Sequence, residues 1–157
     1  MSDESWRGKV GPMGSAEVGA FLDEPIFARL ATLDSEGWPY VVPCWQEWSD
    51  GRFWVVARKK SAWAGYLAAD PRCAVTVDET GGQRKVIAQC RAELVEEPNV
   101  GGRWVEIARR MSTRYLGEHG PDYLEPTLNS PRWLFALEPT RVWTWQGNDR
   151  APRYREA

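Results

Sequence analysis

The chain has 157 residues, 43% of them apolar, a formal net charge of −2 and a pI near 5.5. That length suits one domain able to bury roughly two-thirds of its unfolded surface, and the acidic balance argues against non-specific nucleic-acid binding, which needs a broad basic surface. No apolar stretch approaches the length of a membrane span, and Met1 to Val10 lacks the apolar core of a secretion signal.

In chain order, Ser15 is expected to cap a short helix with Val18, Phe21 and Leu22 on one face, ending before Pro25. Ile26 to Leu33 reads as a strand and Asp34 to Gly37 as a turn. Trp38 to Trp48 reads as a long strand interrupted by Pro39 and Pro43. Proline donates nothing to a ladder, so those positions should face an edge, a bulge or a ligand. Ser49-Asp50-Gly51 turns the chain into a hairpin partner, Arg52 to Ala57.

The next residues, Ala57 to Pro71, read A-R-K-K-S-A-W-A-G-Y-L-A-A-D-P. Arg58, Lys59 and Lys60 end a β-rich run, and Ser61 opens a short helix closed by Asp70-Pro71. Such a junction suits a phosphate, because unpaired amides, a capping hydroxyl and cationic side chains converge on one point. The pattern also fits a solvated basic turn with an ordinary Ser cap, and spacing alone leans to that plainer reading.

Beyond this helix, with Trp63, Tyr66 and Leu67 on one face, Arg72 to Asp78 is a strand and Glu79 to Gln83 a loop. Arg84 to Glu97 alternates cleanly, with Val86, Ala88, Cys90, Ala92 and Leu94 opposed to Lys85, Gln89, Arg91 and Glu93. Pro98-Asn99 introduces a helix to about Leu116, its buried stripe being Trp104, Ile107, Ala108, Met111 and Tyr115 and its stop Gly117. A Gly/Pro-rich loop, Gly117 to Pro131, leads to a strand pair or one bent strand, Arg132 to Gln146, and residues after Gly147 read as a loose polar tail. About six strands joined mainly by hairpins, with three helices inserted, point to a small antiparallel barrel.

His119 is the sole histidine and falls in that loop, a poor start for zinc sites and for Ser-His-Asp or Cys-His catalysis. Neither G-x-G-x-x-G nor a Walker loop occurs, so redox or group-transfer chemistry would have to come from a bound cofactor. Cys44, Cys73 and Cys90 lack C-x-x-C spacing and read as reduced core thiols of a cytoplasmic protein. Of ten Trp, Trp54 and Trp104 read as core, while Trp45, Trp48, Trp63 and Trp143 are candidates to wall a flat ligand. Tyr40, Lys85 and Tyr115 are the side chains that could deliver protons, unranked by sequence.

Four segments in consistent order carry a resemblance. They are Ala28-Arg29-Leu30-Ala31-Thr32-Leu33 with Gly37 to Pro43; Arg58 to Ser61 with Leu67 and Asp70-Pro71-Arg72; Arg84-Lys85-Val86 with Ala92 to Val95; and Pro139 to Val142 with Trp145. Together they resemble the pyridoxamine 5′-phosphate oxidase-like, flavin-binding split β-barrel proteins over residues 15 to 147. The resemblance implies a mainly β fold, a six-stranded antiparallel split β-barrel with short flanking helices. The domain would span 15–147, between an N-terminal extension, 1–14, and a tail, 148–157. It implies a homodimer holding FMN, or alternatively the 8-hydroxy-5-deazaflavin coenzyme, at the subunit interface. Tyr40, Val42, Pro43, Cys44 and Trp45 would run beside the ring and ribityl chain. Val56, Ala57, Arg58, Lys59, Lys60 and Ser61 would hold the phosphate, Trp63 would add an aromatic wall, and Lys85 would reach the ring's polar edge. Trp143 is the expected substrate contact.

The departures are specific. The oxidases place an Arg-Lys pair in the helix's first turn, where this chain has Ala62 and Trp63, and the arginine and histidine that receive pyridoxal phosphate have no counterpart after Trp145. The expected activity is therefore hydride transfer to or from a small planar substrate rather than oxidation of pyridoxamine phosphate. A non-catalytic flavin or haem carrier of the same fold is the alternative. A module stacking an oligonucleotide or sugar is the more distant rival.

Overall fold

The computed structural model describes residues 7–81 and 83–155. Residues 1–6 of the expected extension, 156–157 of the expected tail and Gly82 of the expected loop lie outside them. Helix α1 (Ser15–Leu22) precedes strands β1 (Ala28–Leu33), β2 (Pro39–Cys44), β3 (Glu47–Ser49) and β4 (Arg52–Arg58). Helix α2 (Ala62–Ala69), strands β5 (Arg72–Asp78) and β6 (Arg84–Asn99), helices α3 (Trp104–Leu116) and α4 (Gly120–Leu124) and strand β7 (Arg132–Gln146) complete the chain. All pairs are antiparallel, in the order β2-β1-β5-β6-β7-β4-β3.

Strands β2 and β3 lie at opposite ends of that order, yet only Trp45 and Gln46 separate them in sequence. Three peptide steps reach at most about 11 Å, so the sheet must curl until its two edges almost meet. No ladder joins β2 to β3, which makes this a split barrel: closed by the chain, open in its hydrogen bonds. The expectation of six strands becomes seven because the long Trp38–Trp48 strand breaks at Trp45-Gln46. Pro39 and Pro43 sit on the edge strand β2, where a missing donor costs no ladder bond.

Period-two alternation sorts the apolar residues into two layers. Phe53, Val55, Ala57, Phe135 and Leu137 enter the barrel interior with Phe21, Leu22, Trp63, Ala64 and Leu67 from α1 and α2. Trp54, Leu134 and Ala136 face outward and are covered by Trp104, Ile107, Ala108 and Met111 of α3 and Leu124 of α4. The segment expected as a loop after Gly117 is instead two 3-10 turns flanking α4. Gly120 permits this, since a Cβ there would lie 2.7 Å from the backbone of Ser112. Glu96 caps α3, accepting from the Trp104 and Arg103 amides at 2.9 and 3.1 Å.

Two further expectations change. Bulges between Leu94 and Asn99 bend β6, so its alternation fails at Leu94, which is exposed. The tail is tied down rather than loose: Trp145 Nε1 donates to the Asp149 carbonyl at 3.1 Å, and Asp149 pairs with Arg7 and Arg155. No helix among the described residues is long and apolar enough to cross a membrane.

Candidate functional site

The corner after β4 is fixed by backbone bonds. The Lys59 amide donates to the Pro131 carbonyl at 3.1 Å, Trp133 Nε1 donates to the Lys59 carbonyl at 3.2 Å, and the Ser61 amide closes on the Arg58 carbonyl at 2.9 Å. Ser61 occupies the N-cap position of α2, but its hydroxyl makes no bond to the helix. That corrects the expected capping role and leaves the hydroxyl available to a ligand.

Beside this corner lies a cleft of about 300 Å³. The seam residues Pro43, Cys44 and Trp45 form one side, and Val56, Ala57, Arg58, Ser61 and Trp63 a second. The third side was not foreseen: Phe27, Ala108, Met111, Tyr123, Leu124 and Arg132. Burial pushes the Cys44 thiol up to about 12, so it stays protonated and un-nucleophilic at neutral pH.

Not every expected residue reaches the cleft. Val42 packs on the barrel core. Tyr40 is exposed, its ring set edge-on to Tyr66 at 5.5 Å. Lys59 and Lys60 are exposed on the turn and do not line the cavity. Lys85 and Trp143 fall in a different, larger groove of about 930 Å³ on the outer face of β6 and β7, which the folded tail completes through Asp149 to Tyr154. Within the chain, then, the residues expected around one ligand divide between two surfaces. Trp48 packs at 4.7 Å on Phe53 and lines neither the cleft nor the groove.

The cleft's aromatic side is built from a stack. Tyr115 lies between Phe27 (5.6 Å, 8° between planes) and Trp45 (5.2 Å, 4°), and Tyr123 tilts onto Trp45 at 5.5 Å. The Tyr115 hydroxyl donates to the Ile26 carbonyl at 2.9 Å and accepts from the Gln46 amide at 3.3 Å. Burial raises its pKa, so the phenol keeps its proton, which it donates to the Ile26 carbonyl. The same cleft carries positive charge. Arg58 and Arg132 are direct partners in the β4–β7 register; Arg132 is 5% exposed, and burial, then the Arg58 charge, lower its pKa.

A family model described as pyridoxamine 5′-phosphate oxidase matches residues 15–146. The chain belongs to the pyridoxamine 5′-phosphate oxidase family. Solved structures share the family's split barrel. A conserved hypothetical protein, Rv2991 of Mycobacterium tuberculosis, aligns with TM-score 0.67 and 26% identity over 90% of this chain and 89% of its own. An F420 reductase aligns with TM-score 0.65 and 21% identity over 84% and 98%. The heme storage protein HutZ of Vibrio cholerae aligns with TM-score 0.63 and 19% identity over 83% and 94%. No protein with a curated description gives a sequence match.

Proposed function

We propose that this protein is an oxidoreductase that holds FMN, or the related deazaflavin coenzyme, in the cleft between the β2–β3 seam, the end of β4 and the α3–α4 layer. The observation that carries the reading is the convergence there of three segments distant in sequence, with the guanidinium groups of Arg58 and Arg132 and the stacked ring of Trp45 lining one cleft. A flavin mononucleotide combines the matching features: an anionic tail and a flat tricyclic ring. The cavity volume is at the lower end of the ~300–1,000 Å³ of small-molecule sites, so a flavin would extend out of one protomer's cleft.

The bound ring would supply hydride transfer. This chain's residues do the rest. Arg58 and the free Ser61 hydroxyl hold the phosphate by charge-assisted hydrogen bonds. Trp45, kept flat by Tyr115, offers a face for the ring, and Ala108, Met111 and Leu124 exclude water on the helix side. Val41 (62% exposed) on β2 and Ile87, Val142 and Trp143 on β6 and β7 are large exposed apolar side chains, which supports a homodimer whose second copy brings Lys85 and Trp143 toward the ring and substrate. Three free thiols among the described residues suit a reducing, cytoplasmic setting. The haem alternative has less behind it, because His119 is 76% exposed on its side chain and lines no part of the cleft.

The test is the absorbance spectrum of the freshly purified protein, followed by fluorescence titration with FMN and with the deazaflavin coenzyme. A yellow preparation, or binding of either at micromolar or lower concentration, is expected. Binding of neither overturns the reading.

A further inference from the structure

Cys73 and Cys90 are direct partners in the antiparallel β5–β6 register, so both side chains leave the sheet on one face. That face is the interior one: Cys90 is 4% exposed in the barrel core, and half-buried Cys73 packs against that core. The Cys73 thiol donates to the Cys90 carbonyl at 3.7 Å. The adjacent Cys90 thiol, then burial, raise the Cys73 pKa, so Cys73 rests protonated beside its neighbour. Both residues line a pocket of about 500 Å³ with Thr32, Pro39, Arg72 and Arg91, which gives a small reagent a way in. The third cysteine, Cys44, stands elsewhere, opposite Ala28 on β1 and at the edge of the other cleft.

The ladder decides how well the two residues suit a covalent bond. Just beyond the ends of β5, the Ala92 amide donates to the Pro71 carbonyl at 2.8 Å and the Glu79 amide to the Arg84 carbonyl at 3.2 Å. Each bond marks a hydrogen-bonded pair, and such pairs fall at every second position of an antiparallel ladder. Counting inward from either end makes Cys73 and Cys90 a hydrogen-bonded pair too, with Cα atoms about 5.5 Å apart. Disulfides span about 4.4–6.8 Å between Cα atoms, so the backbone already suits one. Facing Cβ atoms start at about 4.5–5.5 Å and a bridge holds them at about 3.5–4.5 Å, so closure must draw the strands together by about 1 Å. A register shift between Gln89 and Cys90 in the β6–β7 ladder gives β6 slack at this point. A bridge closed under such tension is more easily reduced than a relaxed structural one.

We infer that Cys73 and Cys90 form a reversible cross-strand disulfide, a redox-responsive staple between β5 and β6, with a low-molecular-weight disulfide as the oxidant. The Cys73 sulfur gives its proton to solvent and attacks one sulfur of the oxidant. A mixed disulfide forms, and the expelled thiolate takes up a proton. The Cys90 sulfur, deprotonated in turn, attacks the Cys73 sulfur, closes the bridge and expels the second small thiol. Two protein thiols are thereby oxidised, and one external disulfide is reduced to two thiols. Cys73 is the point of entry because it is the less buried of the pair. Its raised pKa keeps the thiolate scarce, so the staple answers sustained oxidation rather than a brief pulse. Reduced at rest and closed only transiently, the pair fits a reducing compartment, and it stands independently of the flavin reading.

The experiment incubates the fully reduced, folded protein with glutathione disulfide in buffer without denaturant. Remaining thiols are then alkylated in denaturant, and tryptic peptides are mapped by mass spectrometry without reduction. Cleavage after Arg72, Arg84, Lys85 and Arg91 puts the two cysteines on separate peptides, 73–84 and 86–91. The expected result is those two peptides joined by a disulfide, with Cys44 still a thiol. Excess reduced glutathione should then restore all three thiols while the protein stays folded. Cys73→Ser and Cys90→Ala should each form no bridge within the chain. Glutathione left on Cys73 without passing to Cys90, a bridge through Cys44, a link that appears only in urea, or no reaction at all would each overturn the staple. These readouts come from the wild-type chain, so they decide the matter whether or not the variants fold.

Discussion

Three cations stand at the end of β4, Arg58 within the strand and Lys59 and Lys60 just after it, and the structure ranks them. Arg58 lines the cleft; Lys59 and Lys60 project from the turn into solvent, Lys59 spending its backbone on Pro131 and Trp133. A hydrogen bond to a charged group contributes about 1.5–3 kcal/mol, and about 1.4 kcal/mol is tenfold in affinity. Arg58→Ala should therefore weaken FMN binding by about ten- to hundredfold, nearer the lower figure because the side chain is partly hydrated. Lys60→Ala changes only a solvated charge, worth at most about 1 kcal/mol, or about fivefold. Fluorescence quenching at low and at high salt reads both: the Lys60 effect should fade with added salt while the Arg58 effect persists. Equal losses at Arg58 and Lys60, or an Arg58→Ala loss as large for riboflavin as for FMN, would refute the placement of the phosphate.

Two more outcomes follow from the hydrogen bonds. Tyr115→Phe keeps the stack between Phe27 and Trp45 but strands the Gln46 amide and the Ile26 carbonyl; leaving such groups unpaired costs about 1–3 kcal/mol, read as a fall in melting temperature of about 2–10 °C at this chain length, and an unchanged melt would show the hydroxyl to be idle. Asp70 is held at about 2 by the Arg72 side chain and amide. With the folded value depressed, its stabilisation is complete above the unfolded carboxylate range near 4 and disappears as pH falls toward 2. The stability difference between wild type and Asp70→Asn, from urea unfolding across that range, should shrink accordingly; a difference independent of pH would mean that the Arg72 pairing is not its source.

Local periodicity carried much of the fold. The stripe Trp104, Ile107, Ala108 and Met111 repeats at helical spacing because α3 has a single buried face, and Val86, Ala88 and Cys90 alternate because that half of β6 buries one face against the barrel core. What stayed hidden depends on contacts between distant residues. Tyr115 finds Ile26 across 89 positions and Arg7 finds Asp149 across 142, and no local pattern encodes either. Gly117 to Pro131 read as loop because its glycines and prolines mask helical turns too short to show a period. In the sequence Arg132 marks only the start of a strand. A signal was present: Leu134 to Leu137 is apolar at four consecutive positions, which marks a strand buried on both faces, and an arginine two residues before such a run shares the outward-facing side of Leu134.

The position of the cleft follows from the way the barrel closes. A ladder between β2 and β3 would have consumed their backbone donors and drawn the two edges to about 4.8 Å. The two-residue link Trp45-Gln46 brings those edges together without a ladder, so Pro43 to Trp45 remain beside an opening. Gln46 is fully buried, its Nε2 donating to the Leu22 carbonyl at 2.8 Å, which fixes the link so that Trp45 alone faces outward onto Tyr115 and Tyr123. The end of β4 arrives at the same opening, because β4 is the neighbour of β3, and β7 arrives because it is the neighbour of β4. The arginines at the two strand ends are thus delivered to the seam by topology, and the α3–α4 layer that covers the outward residues of both strands lines the same opening with Ala108, Met111 and Leu124. The split in the sheet and the positive corner are two consequences of one strand order.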